Sequence, residues 1–542
     1  MSPVSYVSLS FASPQGTPTR SNPTGGETGD GLEAGQDNEN AITSAVAFFY
    51  QTSEGNGVNS GGNTTIKAVV EFNTINKIDE TQSGVDRIYA TGAKQIDLEN
   101  GTYNVIVVAN PGADWWTGKS LTLADVRDHI QTAAWTVSGS GYSNFVMTSA
   151  ADATLTLNSN PENDPAKATV DVERMAARLD YKTTGIYTCD DPAYPDATVE
   201  ITGAALVNNL TAGSYLLKRV ADDVNGVPTY LGNETPDAGV QTNYVLDPWT
   251  AGKTSANNSF TIGGEANKTA KDLYGEWFGN ISQDPNHWAG YVQPGTEVTV
   301  GTETWQRIGY TLENTTAAEE AGKRYSTGVV FKAKFQPQGV ANYTDGETFF
   351  EYGTKIYASM ENMMKNFYGS KFDELDDLIK KCATWGDVKH FITSTLLTND
   401  PSGYNKYLEG LAEGKNDTET VADASSLTWS KYMLNECGYS KDENGKVVLD
   451  QNGKVTRIAL KPYGTRTYED ATCYYTWWVR HSNDNDDTKK GIMEYAIVRN
   501  NIYKLTVKSV YSLGGEVPDD ESLIVDVYVN DWLLLDNETL PM

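Results

Sequence analysis

The chain of 542 residues carries 72 acidic against 42 basic residues, a formal net charge of −30, and is 39% hydrophobic and 11% aromatic. That apolar content excludes a disordered chain, and the length allows two to four domains, each with its own core. The acidic balance disfavours nucleic acid and anionic lipid surfaces as partners, and it keeps an exposed β-rich surface soluble.

The stretch "VSYVSLSFASPQGTPTR", Val4 to Arg20, opens as a strand. Val7, Leu9 and Phe11 share one face at period two, and Ser8 and Ser10 share the other. Residues 13–40 are rich in Gly, Pro, Asn, Asp, Glu, Ser and Thr and show no period, which predicts a flexible or poorly ordered segment. Strand signals follow in "AITSAVAFFY" (41–50), "TTIKAVVEF" (64–72), "TYNVIVVAN" (102–110) and "ATLTL" (153–157). Between the last two, "LTLADVRDHIQTA" (121–133) places Leu123, Val126 and Ile130 on one face and predicts a short helix. Together these elements predict one β-sandwich.

A second β-rich part begins near "KATVDVERMAARLDY" (167–181), whose spacing is compatible with strand or helix and is read as strand. "VEITGAALVNN" (199–209) and "YVLDP" (244–248) are further strands, the latter ended by proline. The tract 250–345 is rich in Asn, Gly and Thr and predicts long loops decorating the sheet. "KFDELDDLIKKCA" (371–383) sets Phe372, Leu375, Leu378, Ile379 and Cys382 on one stripe, acidic early and basic late, as an amphipathic helix requires. A second helix is predicted from Asp387. Two Asn-Gly pairs in 441–460 predict a three-stranded meander. Strands return in 473–481, 493–513 and 522–535.

Chemistry-bearing patterns are sparse. His129, His287, His390 and His481 are scattered, and no HExxH, GxSxG, P-loop or dinucleotide fingerprint occurs. "HSNDNDDTKK" (481–490) alternates Asn and Asp, but it lacks the turn glycine and distal glutamate of a calcium loop and is read as a hairpin loop. The pairs Trp115–Trp116 and Trp477–Trp478 could form a sugar platform, but adjacent strand residues face opposite sides, which puts one Trp of each pair in a core. Neither an enzyme nor a cofactor or metal is indicated. Cys189, Cys382, Cys437 and Cys473 allow three pairings and form no CxxC; Cys437 and Cys473 are carried as candidate disulfide cysteines. No run approaches the roughly 18–20 apolar residues that span a bilayer. The start "MSPVSYVSLSF" lacks a signal peptide's basic and apolar regions, so a targeting segment is expected to have been cut away ahead of it. At the other end, Leu533, Leu534 and Leu535 run on from Trp532 towards Leu540 without turn chemistry. That tail is either a final edge strand on its own sheet or a segment that pairs with another subunit.

"VERMAARLDY" (172–181), "YVLDPW" (244–249), "CYYTWWVRH" (473–481), "GIMEYAIVRNNIYKLTVKSV" (491–510) and "VDVYVNDW" (525–532) resemble the fimbrillins of Bacteroidales, best the Mfa-type subunits of short fimbriae. "TYNVIVVANP" (102–111) resembles the family's N-domain strand. The resemblance implies a mainly β chain of two tandem transthyretin-like Greek-key β-sandwiches. On this sequence they would be 21–166 and 167–542, the second with a helical insertion near 354–437. It implies export through the outer membrane as a lipoprotein precursor and a place in a cell-surface fimbrium, as its structural shaft subunit. An arginine-specific protease would cut at Arg20, in "TPTRSNP", and remove residues 1–20 with Val7, Leu9 and Phe11 as groove plugs. The tail 533–542, with Leu533, Leu534, Leu535 and Leu540, would refill a neighbour's groove and build a head-to-tail polymer. Anchor and tip subunits, and host or bacterial surface receptors, are the implied further partners. A tip, anchor or accessory subunit, or a carbohydrate-binding surface protein, are the alternatives.

Overall fold

The computed structural model describes residues 4–13, 31–51, 63–82, 85–207, 209–210, 213–222, 243–248, 259–262, 265–269, 285–314, 326–368, 466–481, 494–518 and 523–534. The predicted helices at 371–383 and from Asp387, the meander at 441–460, and the loop after His481 lie outside these residues. The described chain is mainly β.

The first part contains strands β1 (Ser5–Ala12), β2 (Leu32–Ala34), β3 (Ala45–Gln51), β4 (Ala68–Phe72), β5 (Ile75–Gln82), β6 (Val85–Thr91), β7 (Lys94–Ile96), β8 (Gly101–Ala109), β9 (Met147–Ser149), β10 (Ala153–Leu157) and β11 (Ala166–Arg174). All but β2 join in a ten-stranded sheet with the path β4-β3-β8-β9-β11-β1-β6-β5, where β10 also pairs with β8 and β7 with β1. The unbroken apolar runs of β3 and β8 have a simple cause: both faces are covered. Ala45, Ala47, Phe49, Val105 and Val107 enter one core, whereas Val46, Phe48, Tyr50, Ile106 and Val108 enter another beneath Trp116, Leu121 and Leu123.

The second part contains β12 (Ala177–Lys182), β13 (Ile186–Thr188), β14 (Thr198–Val207), β15 (Thr296–Val300), β16 (Glu303–Thr311), β17 (Gly328–Gln336), β18 (Thr472–Trp478), β19 (Asn501–Val510) and β20 (Leu523–Leu533). A six-stranded sheet, β2-β20-β19-β12-β16-β15, faces a four-stranded one, β13-β14-β17-β18. Their inward residues, among them Leu179, Phe331, Tyr475 and Leu505, form a single core.

Three expectations change. Residues 31–40 are not loose: they form β2 and a helix, α1 (Asp37–Asn40), started by a capping box between Gln36 and Glu39. The helix predicted over 121–133 shrinks to α2 (Leu123–Arg127), because Ile130 and Gln131 leave it to pair with Tyr215 and Ser214. The tract 250–345 supplies not only loops but core strands, β15 to β17, and a helix, α3 (Pro285–Tyr291), because "TEVTV" and "GVVFKAKFQ" alternate as half-buried strands do.

Where the two parts meet, charge is buried. Arg178 and Asp180, two residues apart on β12, share a face. Asp180 stands opposite Lys504 in the parallel pairing of β12 with β19. Arg178 reaches Glu33 of β2, Glu39 of α1 at 2.9 Å and Asp180 at 2.9 Å, and Lys504 binds Glu33 at 2.7 Å. Burial pushes the Glu39 carboxyl up, but the Arg178 guanidinium and the Tyr310 hydroxyl outweigh it and hold Glu39 below the usual carboxylate range. Burial wins at Asp180, whose carboxyl stays above that range despite Arg178 and Lys504. Beside them Arg174 binds Asn40, donates to the carbonyls of Glu39 and Trp532 at 3.0 Å, and lies 4.5 Å from the centre of the Trp532 ring. Gly35 admits this crowding, since a Cβ there would collide with Asn40, Arg174 and Trp532.

Removing one member of a buried ion cluster leaves the others uncompensated, at a cost of about 3–5 kcal/mol. Arg178→Ala should therefore lower the urea unfolding free energy by an amount in that range. A loss below about 1 kcal/mol, the scale of an exposed pair, would contradict the assignment.

Candidate functional site

The site is built around β1. It lies inside the ten-stranded sheet, parallel to β11 (Val7 opposite Ala166, Phe11 opposite Val170) and antiparallel to β7 and β6 on its other side. Both rows of its backbone groups are engaged in ladders. Val7, Leu9 and Phe11 are no more than 1% exposed and share a core with Phe49, Val107 and Leu155. Burying three such side chains is worth on the order of 5–9 kcal/mol. The opposite face is tied by polar contacts: Ser8 Oγ donates to the Thr91 carbonyl at 2.9 Å, and Ser10 Oγ lies 3.0 Å from Thr169 Oγ1. The Leu9 amide donates to Thr91 Oγ1 at 2.9 Å. Taking β1 away would open an apolar trench and leave unpaired edges on β11, β6 and β7.

The two chain ends meet at this trench. Ser13, just past β1, is buried, and its Oγ accepts a hydrogen bond of 2.5 Å from the Leu534 amide. Leu534 is 1% exposed and packs in the same apolar cluster as Val7, Leu9 and Phe11, together with Trp532. Trp532 stacks on Tyr310 and meets Phe145 edge-on. Leu533 ends β20, whereas Arg20, Leu535 and Leu540 lie outside the described residues.

Other singled-out residues are dispersed. Cys437 lies outside the described residues, and Cys473 is buried on β18. Trp116 and Trp477 are buried in separate cores, and Trp115 stacks between Phe48 and His129. Burial and the nearby Lys119 pull the His129 imidazole down to about 4. Neither pair presents two open rings to solvent. Among the described residues no group of His, Cys, Asp and Glu is placed to hold a metal ion.

Sequence reasoning missed the buried charge cluster. One signal was available: "ARLDYK" places charged residues at alternate positions and "NIYKLTV" sets one lysine inside an otherwise uncharged strand, a pattern that asks for an internal counter-charge.

Residues 466–538 match the family model described as "Major fimbrial subunit protein type IV, Fimbrillin, C-terminal". No curated protein matches the chain in sequence. Among solved structures, a fimbrilin (fimA) from Porphyromonas gingivalis is 12% identical, with 98% of each chain covered and a TM-score of 0.34. The tip fimbrial protein Mfa3 from the same organism is 10% identical over 98% of this chain and 100% of its own, with a TM-score of 0.32. Its fimbrial anchor protein Mfa2 is 9% identical over 61% of this chain and 78% of its own, at 0.22. The weight rests on 466–538, which contains β18, β19 and β20 and is similar to the C-terminal part of fimbrial subunits. By that segment the chain is similar to the fimbrillins.

Proposed function

We propose that the chain is a shaft subunit that polymerises by strand exchange once β1 has been removed. One observation carries the reading: β1 is an inner strand whose apolar face fills the core, and the Pro- and Gly-rich stretch that contains Arg20 follows it in the sequence. An arginine-specific protease cutting at Arg20 would free it, and small, polar and Pro-punctuated sequence of this kind is where proteolytic nicking concentrates. A tail with apolar residues at alternate positions could then restore both the ladders and the core. Donor and groove are different patches of the subunit, so the contact does not close and a filament grows. The donor in this reading is 533–542. Export as a lipoprotein precursor, anchor and tip partners, and surface receptors belong to the same proposal. So does a division into two transthyretin-like β-sandwiches, with the passage between them near Met175 and Ala176, since the strand that begins at Ala166 still pairs in the first sheet. The helical insertion of the second unit would include the helix Met360–Tyr368.

A second reading, a tip or anchor subunit, draws on Leu534, which packs in its own subunit's core beside Ser13. A tail kept at home would not be donated.

Limited trypsin digestion should remove residues 1–20 first and yield ladders of oligomers on non-boiled gels. An Arg20→Ala chain that polymerises as readily as the parent under the same digestion would overturn the processing step. A chain lacking 535–542 should remain a folded monomer after digestion, by light scattering. Undiminished polymers would remove the tail from the donor role, and a parent that stays monomeric with its leader cut would favour the tip or anchor reading.

A further inference from the structure

The outer face of the four-stranded sheet carries a cavity of about 480 Å³ that none of the fimbrial features explains. Its floor follows from strand alternation. Phe331, Ala333 and Phe335 of β17 enter the core, so Lys332 and Lys334 stand on the other side, opposite Tyr474 and Thr472 of β18. Its walls are chain segments brought in by close backbone approach. At Gly203 a Cβ would lie 2.7 Å from the Gln293 carbonyl oxygen, and this contact seats Gln293 and Pro294 on one rim. At Gly514 a Cβ would lie 2.5 Å from the Tyr474 carbonyl oxygen, which brings Glu516 to another. The third rim is a turn in which two successive non-glycine residues, Asp470 and Ala471, hold φ of 48° and 57°. Strained backbone of this kind persists where the surroundings enforce it, and it clusters at binding sites.

The chemistry of the lining is divided. Lys332 donates to the Ala289 carbonyl at 3.2 Å, and Lys334 to the Asp470 carbonyl at 2.5 Å and Thr472 Oγ1 at 3.0 Å. Among the described residues neither ammonium has a carboxylate partner, in a protein with 30 more negative than positive charges. Burial, with Lys334 adding repulsion, pulls Lys332 below its ordinary value. Across the cavity stand Glu469, Asp470 and Glu516, the last accepting from the Thr467 amide at 2.6 Å. Thr467, 3% exposed, keeps a buried hydroxyl with no hydrogen-bond partner.

A bare inorganic anion would suit the lysines but face the carboxylates, and a cation would suffer the reverse. A ligand with one anionic group and several hydroxyls satisfies both walls, since carboxylates, threonine hydroxyls and the Gln293 amide are hydroxyl partners. We propose that this cavity binds a sugar acid, as the terminal uronate residue of a glycan. The Lys332 and Lys334 ammonium groups take its carboxylate, and Asp470 and Thr467 take its hydroxyls. This inference does not depend on strand exchange, and it uses neither tryptophan pair.

The test is titration calorimetry of the full chain with D-glucuronate, D-glucose and inorganic sulfate. Glucuronate should bind saturably, and glucose and sulfate at least about tenfold more weakly, the loss expected for a charge-assisted hydrogen bond. Lys332→Ala and Lys334→Ala should each weaken glucuronate binding by a similar factor while keeping the parent's thermal unfolding midpoint. Asp470→Asn, which tolerates the left-handed backbone, should weaken glucuronate and leave sulfate unchanged. No saturable glucuronate binding, sulfate binding as tight as glucuronate, or lysine and Asp470 variants that bind glucuronate like the parent would each overturn the proposal.

Discussion

The molecule depends on a buried ion cluster. Arg178 satisfies three carboxylates at once, from β2, α1 and its own strand, and Lys504 closes the set from the neighbouring strand. Ions at this depth are not there because they are cheap, since desolvating them offsets most of their attraction. They specify geometry: in this docking of 31–40 against β12, β19 and β20, Glu33 and Glu39 each meet a buried cation. Arg174 extends the same constraint to the first sheet, because its backbone ends β11 while its guanidinium holds Asn40 and lies over Trp532. Its amide, in turn, donates to Asn500 Oδ1 at 3.0 Å. The relative setting of the two cores is therefore fixed by polar contacts, whereas their interiors are held by apolar burial.

Against that rigid frame β1 is an exception in kind. It pairs with β11 on one side and with β6 and β7 on the other, and none of these contacts belongs to the ionic junction. It contributes strand pairing, three apolar side chains and the hydrogen bonds of Ser8 and Ser10, and its residues Ser5–Ala12 carry no charged side chain. Such contributions are generic. Another extended segment with the right alternation could supply them, whereas the ionic junction asks for particular charges at particular places.

How much of this was legible in the sequence varies with the range of the forces involved. The alternation of Val7, Leu9 and Phe11 and the apolar runs of β3 and β8 were readable, because a strand's period and its two-sided burial are local properties. The "VERMAARLDY" and "VRNNIYKLTV" segments stood out as family-like, and Arg174, Arg178, Asp180, Asn500 and Lys504 within them make the junction. Residues 31–40 were unreadable for the opposite reason. "GLEAGQDNEN" has the composition of a loop, and only distant partners, Arg178 and Lys504, turn Glu33 and Glu39 into buried anchors. The same holds for the left-handed pair Asp470 and Ala471, whose conformation no local propensity requires.

The order of these pieces along the chain has a consequence. Arg20 precedes the first residue of the ionic junction, Glu33, so a cut at Arg20 would separate β1 from the anchored segment without touching an ion pair. The first sheet would lose a strand while the ion pairs of the junction stayed in place. Among the described residues the hydrogen bond from Leu534 to Ser13 and the packing of Leu534 in the cluster that holds Val7, Leu9 and Phe11 link the leaving segment to the C-terminal tail, and both would be lost as β1 departs. Under strand exchange, emptying the groove and loosening the root of the tail would then be one event. Acceptor and donor would become available together, on a subunit whose two cores remain locked by Arg174, Arg178 and Lys504.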